Sequence, residues 1–230
     1  MPRRLLAAAV AGALALLGLT ACRDLPSVAA YVGDAQLTNA QVDQMVTEAR
    51  TNQPDAPAAG DLRQFAVQVF VIHEVSTRLA KEHKLTVPPA DPAQVATYAQ
   101  QLKVANGALV RQYVDAVAAY GAIQPLGTPQ EPTDADKREV FASLIQQQVV
   151  TPDQYDQVKA QIDSPEMRAR LGLRAVLRDA LSRYRVTVNP RYQPLELSMP
   201  FTLANITATV SVPLGYTAPV AVTDVSSPQS

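Results

Sequence analysis

Apolar residues recur at helical spacing along most of this chain, and the densest run lies between positions 62 and 79. Leu62, Phe65, Ala66, Val69, Phe70, Ile72, Val75 and Leu79 cover most of a helix circumference. A helix apolar nearly all round is buried among others. The pattern therefore predicts a central helix that Asp61 caps and that runs to about position 84. Its second half carries Arg78, Lys81, Glu82 and Lys84 and emerges into water. Before it, Thr38 with Gln41 three residues on reads as a capping box, so a helix starts at Asn39 with Val42, Met45 and Val46 inward. After it, Asp91-Pro92-Ala93-Gln94 is a start signal, followed by Val95, Tyr98, Ala99 and Leu102, with Gly107 as the expected stop. Val110, Tyr113, Val114, Val117 and Tyr120 form the next stripe, closed by Gly121. Three further starts follow. Thr133 precedes Val140, Phe141, Leu144 and Ile145. Thr151-Pro152-Asp153-Gln154 precedes Tyr155, Val158 and Ile162. Ser164-Pro165-Glu166 opens the last long helix, with Met167, Leu171, Val176, Leu177, Ala180, Leu181 and Tyr184 on its buried side.

The period shortens to two in three places. Residues 29–37 read as a strand, a Gly33-Asp34 turn and a return. Residues 185–188 read as a strand stopped by Asn189-Pro190, because proline offers no donor. Residues 207–212 alternate in the same way. A lone strand would leave backbone groups unpaired. The first two segments are therefore expected to pair, with 207–212 as a competing partner. The expected fold is mainly α, a helical bundle with a small two-stranded β element joining its two ends. The expected divisions are 1–21, a tether at 22–28, a helical domain at 29–194, and a β-prone or disordered tail at 195–230. On that reading, truncation after Leu195 leaves the domain folded.

The first 22 residues add a location. Arg3 and Arg4 precede an apolar run at 5–17 broken only by Gly12, then small residues. This is the layout of a secretory signal, and the run is too short to span a bilayer. Leu19-Thr20-Ala21-Cys22 resembles the lipobox of bacterial lipoproteins. That resemblance implies acylation of Cys22, palmitate included, and cleavage before it. It also implies lipid anchoring on the extracytoplasmic face of the cell membrane, where two or three acyl chains make a lasting anchor.

Removing residues 1–21 takes away two arginines and no acid. The remaining 18 basic and 21 acidic residues give a net charge of −3, which excludes a nucleic-acid-binding balance. Cys22 is the sole cysteine. No disulfide is expected, and no thiol remains for catalysis or metal once it is acylated. His73-Glu74 lacks the second histidine of a zinc helix, since position 77 is Thr77. His73 and His83 are expected as one packed and one surface imidazole. No serine sits in a G-x-S-x-G turn and no glycine-rich loop ends in Lys-Ser/Thr. Asp134, Asp136 and Glu139 read as complements to a helix dipole. Tyr98, Tyr113 and Tyr120 share one helical spacing. They read as core, or as part of a client groove, because tyrosine suits surfaces half apolar and half wet. No catalytic residue, metal or cofactor is expected.

Residues 32–38 (Val32-Gly33-Asp34-Ala35-Gln36-Leu37-Thr38), followed by a helix, resemble the opening of SurA-type chaperones. The 65–84 helix with Leu85-Thr86-Val87 resembles that family's second helix and exit. Val186-Thr187-Val188-Asn189-Pro190-Arg191-Tyr192 resembles the close seen in actinobacterial lipoproteins carrying this domain. The resemblance spans about 29–192 and departs from the pattern at Asp34 and at Gln193, which stands where the family has glycine. It implies the chaperone-like N-terminal domain without the parvulin isomerase, whose site histidines have no counterpart after Lys84. The implied partners are membrane lipid and unfolded or extended exported proteins. The alternatives are an assembly lipoprotein with one folded envelope partner and, less favoured, an isomerase with an unrecognised site.

Overall fold

The computed structural model describes residues 27–203 and 205–215. Its architecture is mainly helical, with two small sheets. The capping box at Thr38 is present: its backbone N–H donates to Gln41 Oε1 (2.8 Å), and the Gln41 N–H returns a bond to Thr38 Oγ1 (3.2 Å). Helix α1 (Asn39–Arg50) starts there. Helix α2 (Ala59–Glu82) is the central helix, burying Leu62, Ala66, Val67, Val69, Phe70, Val71, Val75, Leu79 and Ala80. It begins two residues before the expected cap. Ala58 occupies the cap position, and Asp61 lies in the first turn, where it complements the dipole instead. Next come α3 (Pro92–Gln101), α4 (Ala108–Ile123), α5 (Asp134–Gln146), α6 (Tyr155–Ile162) and α7 (Pro165–Arg183). Helix α2 packs most extensively on α4.

The expected glycine stops are not where helices end. Gly107 is the N-cap of α4, and Gly121 lies inside that helix. Helix α4 runs on to Ile123, and α2, α3, α5 and α7 close at Lys84, Lys103, Gln148 and Arg185, all with φ between 51° and 59°. In each case the following N–H reaches back to a carbonyl of the last turn: Leu85 to Ala80, Val104 to Ala99, Val149 to Leu144 and Val186 to Leu181, all at 2.8–3.0 Å. This 6→1 bond is the Schellman closure. It satisfies an orphan carbonyl and offsets the left-handed conformation, about 1–2 kcal/mol for a residue other than glycine. Glycine is required elsewhere. A Cβ on Gly172 of α7 would sit 2.0 Å from the Thr128 carbonyl oxygen, so the 127–128 segment can lie directly on that helix.

The first sheet joins the two ends as expected, with three strands in place of two. Strand β1 (Val28–Val32) is central. It pairs antiparallel with β2 (Ala35–Thr38) across the Gly33 turn and antiparallel with β3 (Thr187–Val188). Ala30 lies opposite Val188 and Tyr31 opposite Thr187. Asn189 fastens the junction, its N–H donating to Ala29 O (2.9 Å) and its Nδ2 to Val28 O (3.0 Å).

Residues 207–212 do not join that sheet. They belong to β5 (Ile206–Pro213), which pairs antiparallel with β4 (Glu196–Leu203) in a separate hairpin. Leu197, Met199 and Phe201 alternate inward from β4, and Ala208, Val210 and Val212 from β5. All six belong to the same core as the helices. The region up to Leu214 is therefore part of the folded body, which places its limit beyond 194 and argues against a chain ending at Leu195 staying folded. The hairpin packs on α5 and α7. Beneath it Arg174, only 6% exposed, donates to Asp136 and to Glu139 Oε2 (2.7 Å), while Glu139 Oε1 accepts the Ser211 N–H (2.8 Å). Two acids read from sequence as dipole complements thus neutralise a buried guanidinium and tie helix to hairpin. Asp134, the third, bonds Arg138 and Tyr155 at the surface.

Candidate functional site

Neighbouring stretches of α2 and α4 present an apolar groove. The first half of α2 brings up Phe65, Val69 and Ile72; α4 supplies Tyr113, Ala116, Val117 and Tyr120; Leu197 of β4 and the Gln68 side chain complete the lining. The groove holds about 280 Å³. Its residues sit three and four apart on each helix, so each set shares one face. The ring of Phe65 lies 5.3 Å from that of Tyr113, which meets Tyr98 edge-on at 5.1 Å. These distances suit favourable aromatic pairs. The strand end beside the groove is pinned to α2: Gln64 Nε2 donates to Pro194 O (2.6 Å) and Gln68 Nε2 to Glu196 O (2.8 Å).

Of the three tyrosines singled out by spacing, Tyr113 and Tyr120 line the groove, and Tyr98 stands behind Tyr113 as its edge-on neighbour. Burial, and then the nearby Tyr98, pushes the Tyr113 phenol above its ordinary pKa. Burial does the same at Tyr120 against the opposing pull of Gln124 and Arg170. Both phenols therefore stay neutral at neutral pH and can donate a hydrogen bond at the edge of an apolar trough. Val117 is exposed by 38%, one of two such large hydrophobic residues among those described.

By pattern Phe65, Val69 and Ile72 read as core residues, and Leu197 has no assigned role. The alternation of Leu195, Leu197, Met199 and Phe201 was the available signal for it. A second hollow of about 480 Å³ lies between the loop after α1 and α3, with Gln53, Asp55, Gln100 and Lys103 among its polar lining.

The histidines stay apart. His73 is half-buried, its Nδ1 3.7 Å from Glu74, whereas His83 is exposed at the end of α2. Ten residues along one helix is about 15 Å. Among the described residues no three His, Cys, Asp or Glu side chains are placed to hold a metal, and no helix is long and apolar enough to cross a membrane. Cys22 lies outside the described residues. No protein-family model, curated protein or solved structure matches this chain.

Proposed function

We propose that this protein is a lipid-anchored, extracytoplasmic chaperone-like lipoprotein that receives extended apolar segments of exported polypeptides in the α2–α4 groove. The groove carries the reading. It is apolar along its floor, bordered by neutral phenols, and shaped by side chains from two helices and a strand. Such a trough accepts apolar side chains without demanding a particular sequence. No group in the groove is a nucleophile with a base beside it, which supports binding over catalysis.

Val117→Asp tests the groove. The position is exposed, so the variant should melt within about 0.5 kcal/mol of the parent. Its charge should abolish suppression of aggregation of a chemically unfolded test protein. Full suppression by the variant would rule out this groove as the binding site.

The anchor has its own test. Cys22→Ala should move the protein from the detergent phase to the aqueous phase on phase partitioning, since the lipobox offers one thiol to acylate. A variant that still partitions into detergent rules out that anchor.

A further inference from the structure

The groove has two unlike ends. Phe65, Tyr98 and Tyr113 close one with rings. At the other, the Tyr120 side chain stands against Gln124 and Arg170. Arg170, on α7, donates from Nη1 to Gln124 Oε1 at 2.7 Å. That partner is a neutral amide. Among the described residues five arginines are buried or half-buried: Arg63, Arg78, Arg168, Arg170 and Arg174. Four of them hold a carboxylate within 4 Å. Arg170 forms no such pair. A guanidinium carries five donors in a planar fork that matches a carboxylate. The Gln124 amide and the Tyr120 hydroxyl take up part of that fork, and no carboxylate of the described residues lies within 4 Å of it.

We propose that the groove takes the C-terminal end of an apolar polypeptide, with its terminal carboxylate on Arg170 and its last side chains between α2 and α4. The proposal rests on the client-binding reading above and names the class of client. Dimensions agree with it. Tyr113 and Tyr120 are seven residues apart, about 10 Å along a helix. Three residues of extended chain cover the same length. A terminal carboxylate is ionised at neutral pH, and it is available on every polypeptide whatever its sequence. Phe65, Ile72 and Val117 then accept the side chains, while Tyr120 and Arg170 fix the end of the chain.

The test uses the full chain and a fluorescein-labelled eight-residue peptide ending Val-Ile-Val, prepared with a free C-terminal carboxylate and as the C-terminal amide. Anisotropy titration should show the acid binding at least about tenfold more tightly, the factor equivalent to about 1.4 kcal/mol. Arg170→Gln should remove that preference by bringing the acid's affinity down to that of the amide; Arg170→Lys should keep part of it. Equal affinity for acid and amide in the parent overturns the carboxylate proposal and leaves groove binding standing. A preference that persists in Arg170→Gln overturns the assignment to Arg170. Failure of both peptides to bind overturns this proposal and the client-binding reading together. Displacement of the peptide by palmitate at lower concentration than by unlabelled peptide, with the same dependence on Arg170, replaces the polypeptide with a fatty acid as occupant.

Discussion

Asp136→Asn combined with Glu139→Gln should lower stability by about 3–5 kcal/mol, the cost of leaving a buried charge without its partner. Both changes keep shape, and with the one amide oxygen turned to Thr133 or to the Ser211 N–H, each sets an NH2 where a carboxylate oxygen accepted from Arg174. What they remove is negative charge beside Arg174, whose side chain is 7% exposed. For a domain of this size that loss corresponds to a fall in Tm of about 10 °C or more. Adding Arg174→Met to the pair should restore most of it, because a buried ion group replaced by apolar volume is often neutral or stabilising. A double variant within about 1 kcal/mol of the parent would show that water reaches the guanidinium and that the network contributes little.

The same network sets part of the acid response. Burial pushes the Asp136 carboxyl up, but the Thr133 hydroxyl and N–H and the Arg174 guanidinium together hold it below its ordinary value. A carboxyl whose folded pKa is depressed binds protons more weakly in the native state. Its stabilising contribution is complete above the unfolded value near 4 and fades as pH falls through the lower folded value. Asp136→Asn removes that component, so acid melts of the variant should show a shallower decline below pH 4 than those of the parent.

Long-range partnership separates what was legible in the sequence from what was not. Starts are written locally: the boxes at Thr38 and Thr133 and the cap at Asp91 each use a side chain two or three residues from the backbone group it satisfies. The ends of α2 and α7 were legible near Lys84 and Tyr184, whereas the end of α3 falls before Gly107 because Lys103 adopts the conformation that glycine signals, held there by the Val104 bond to a carbonyl of the last turn. The β1–β3 pairing was legible because two isolated strand segments needed partners. Half of the groove was legible too, since Tyr113 and Tyr120 share a helical face. Its other half comes from Phe65 and Ile72, indistinguishable by pattern from core, and from Leu197, which lies 125 positions beyond Ile72 and reaches the groove only through tertiary folding. Arg170 was illegible for the same reason: its lack of a carboxylate is a property of neighbours in space.

A chain ending at Leu195 should show no cooperative thermal transition. The shorter chain loses Leu197, Met199, Phe201, Val210, Val212 and Leu214, each exposed by 9% or less. Burying a side chain of this kind contributes about 1.5–3 kcal/mol, so the set amounts to on the order of 10 kcal/mol. Whole domains are stable by only about 5–15 kcal/mol. Truncation also uncovers the apolar faces of α5 and α7 beneath the hairpin, frees Arg174 and Glu139 to water, and opens the groove where Leu197 closed it. Met199 is fully buried, and Met199→Ala should cost about 2–5 kcal/mol through lost transfer energy and the cavity left behind. Circular-dichroism melts of the three proteins decide the matter. A Leu195-terminated chain with the parent's Tm, together with a Met199→Ala variant within 1 kcal/mol, would mean that the helices and the three-stranded sheet form a sufficient core alone. Loss in both places the hairpin within the cooperative unit, because one inward methionine and the whole ribbon would then report on the same packed interior.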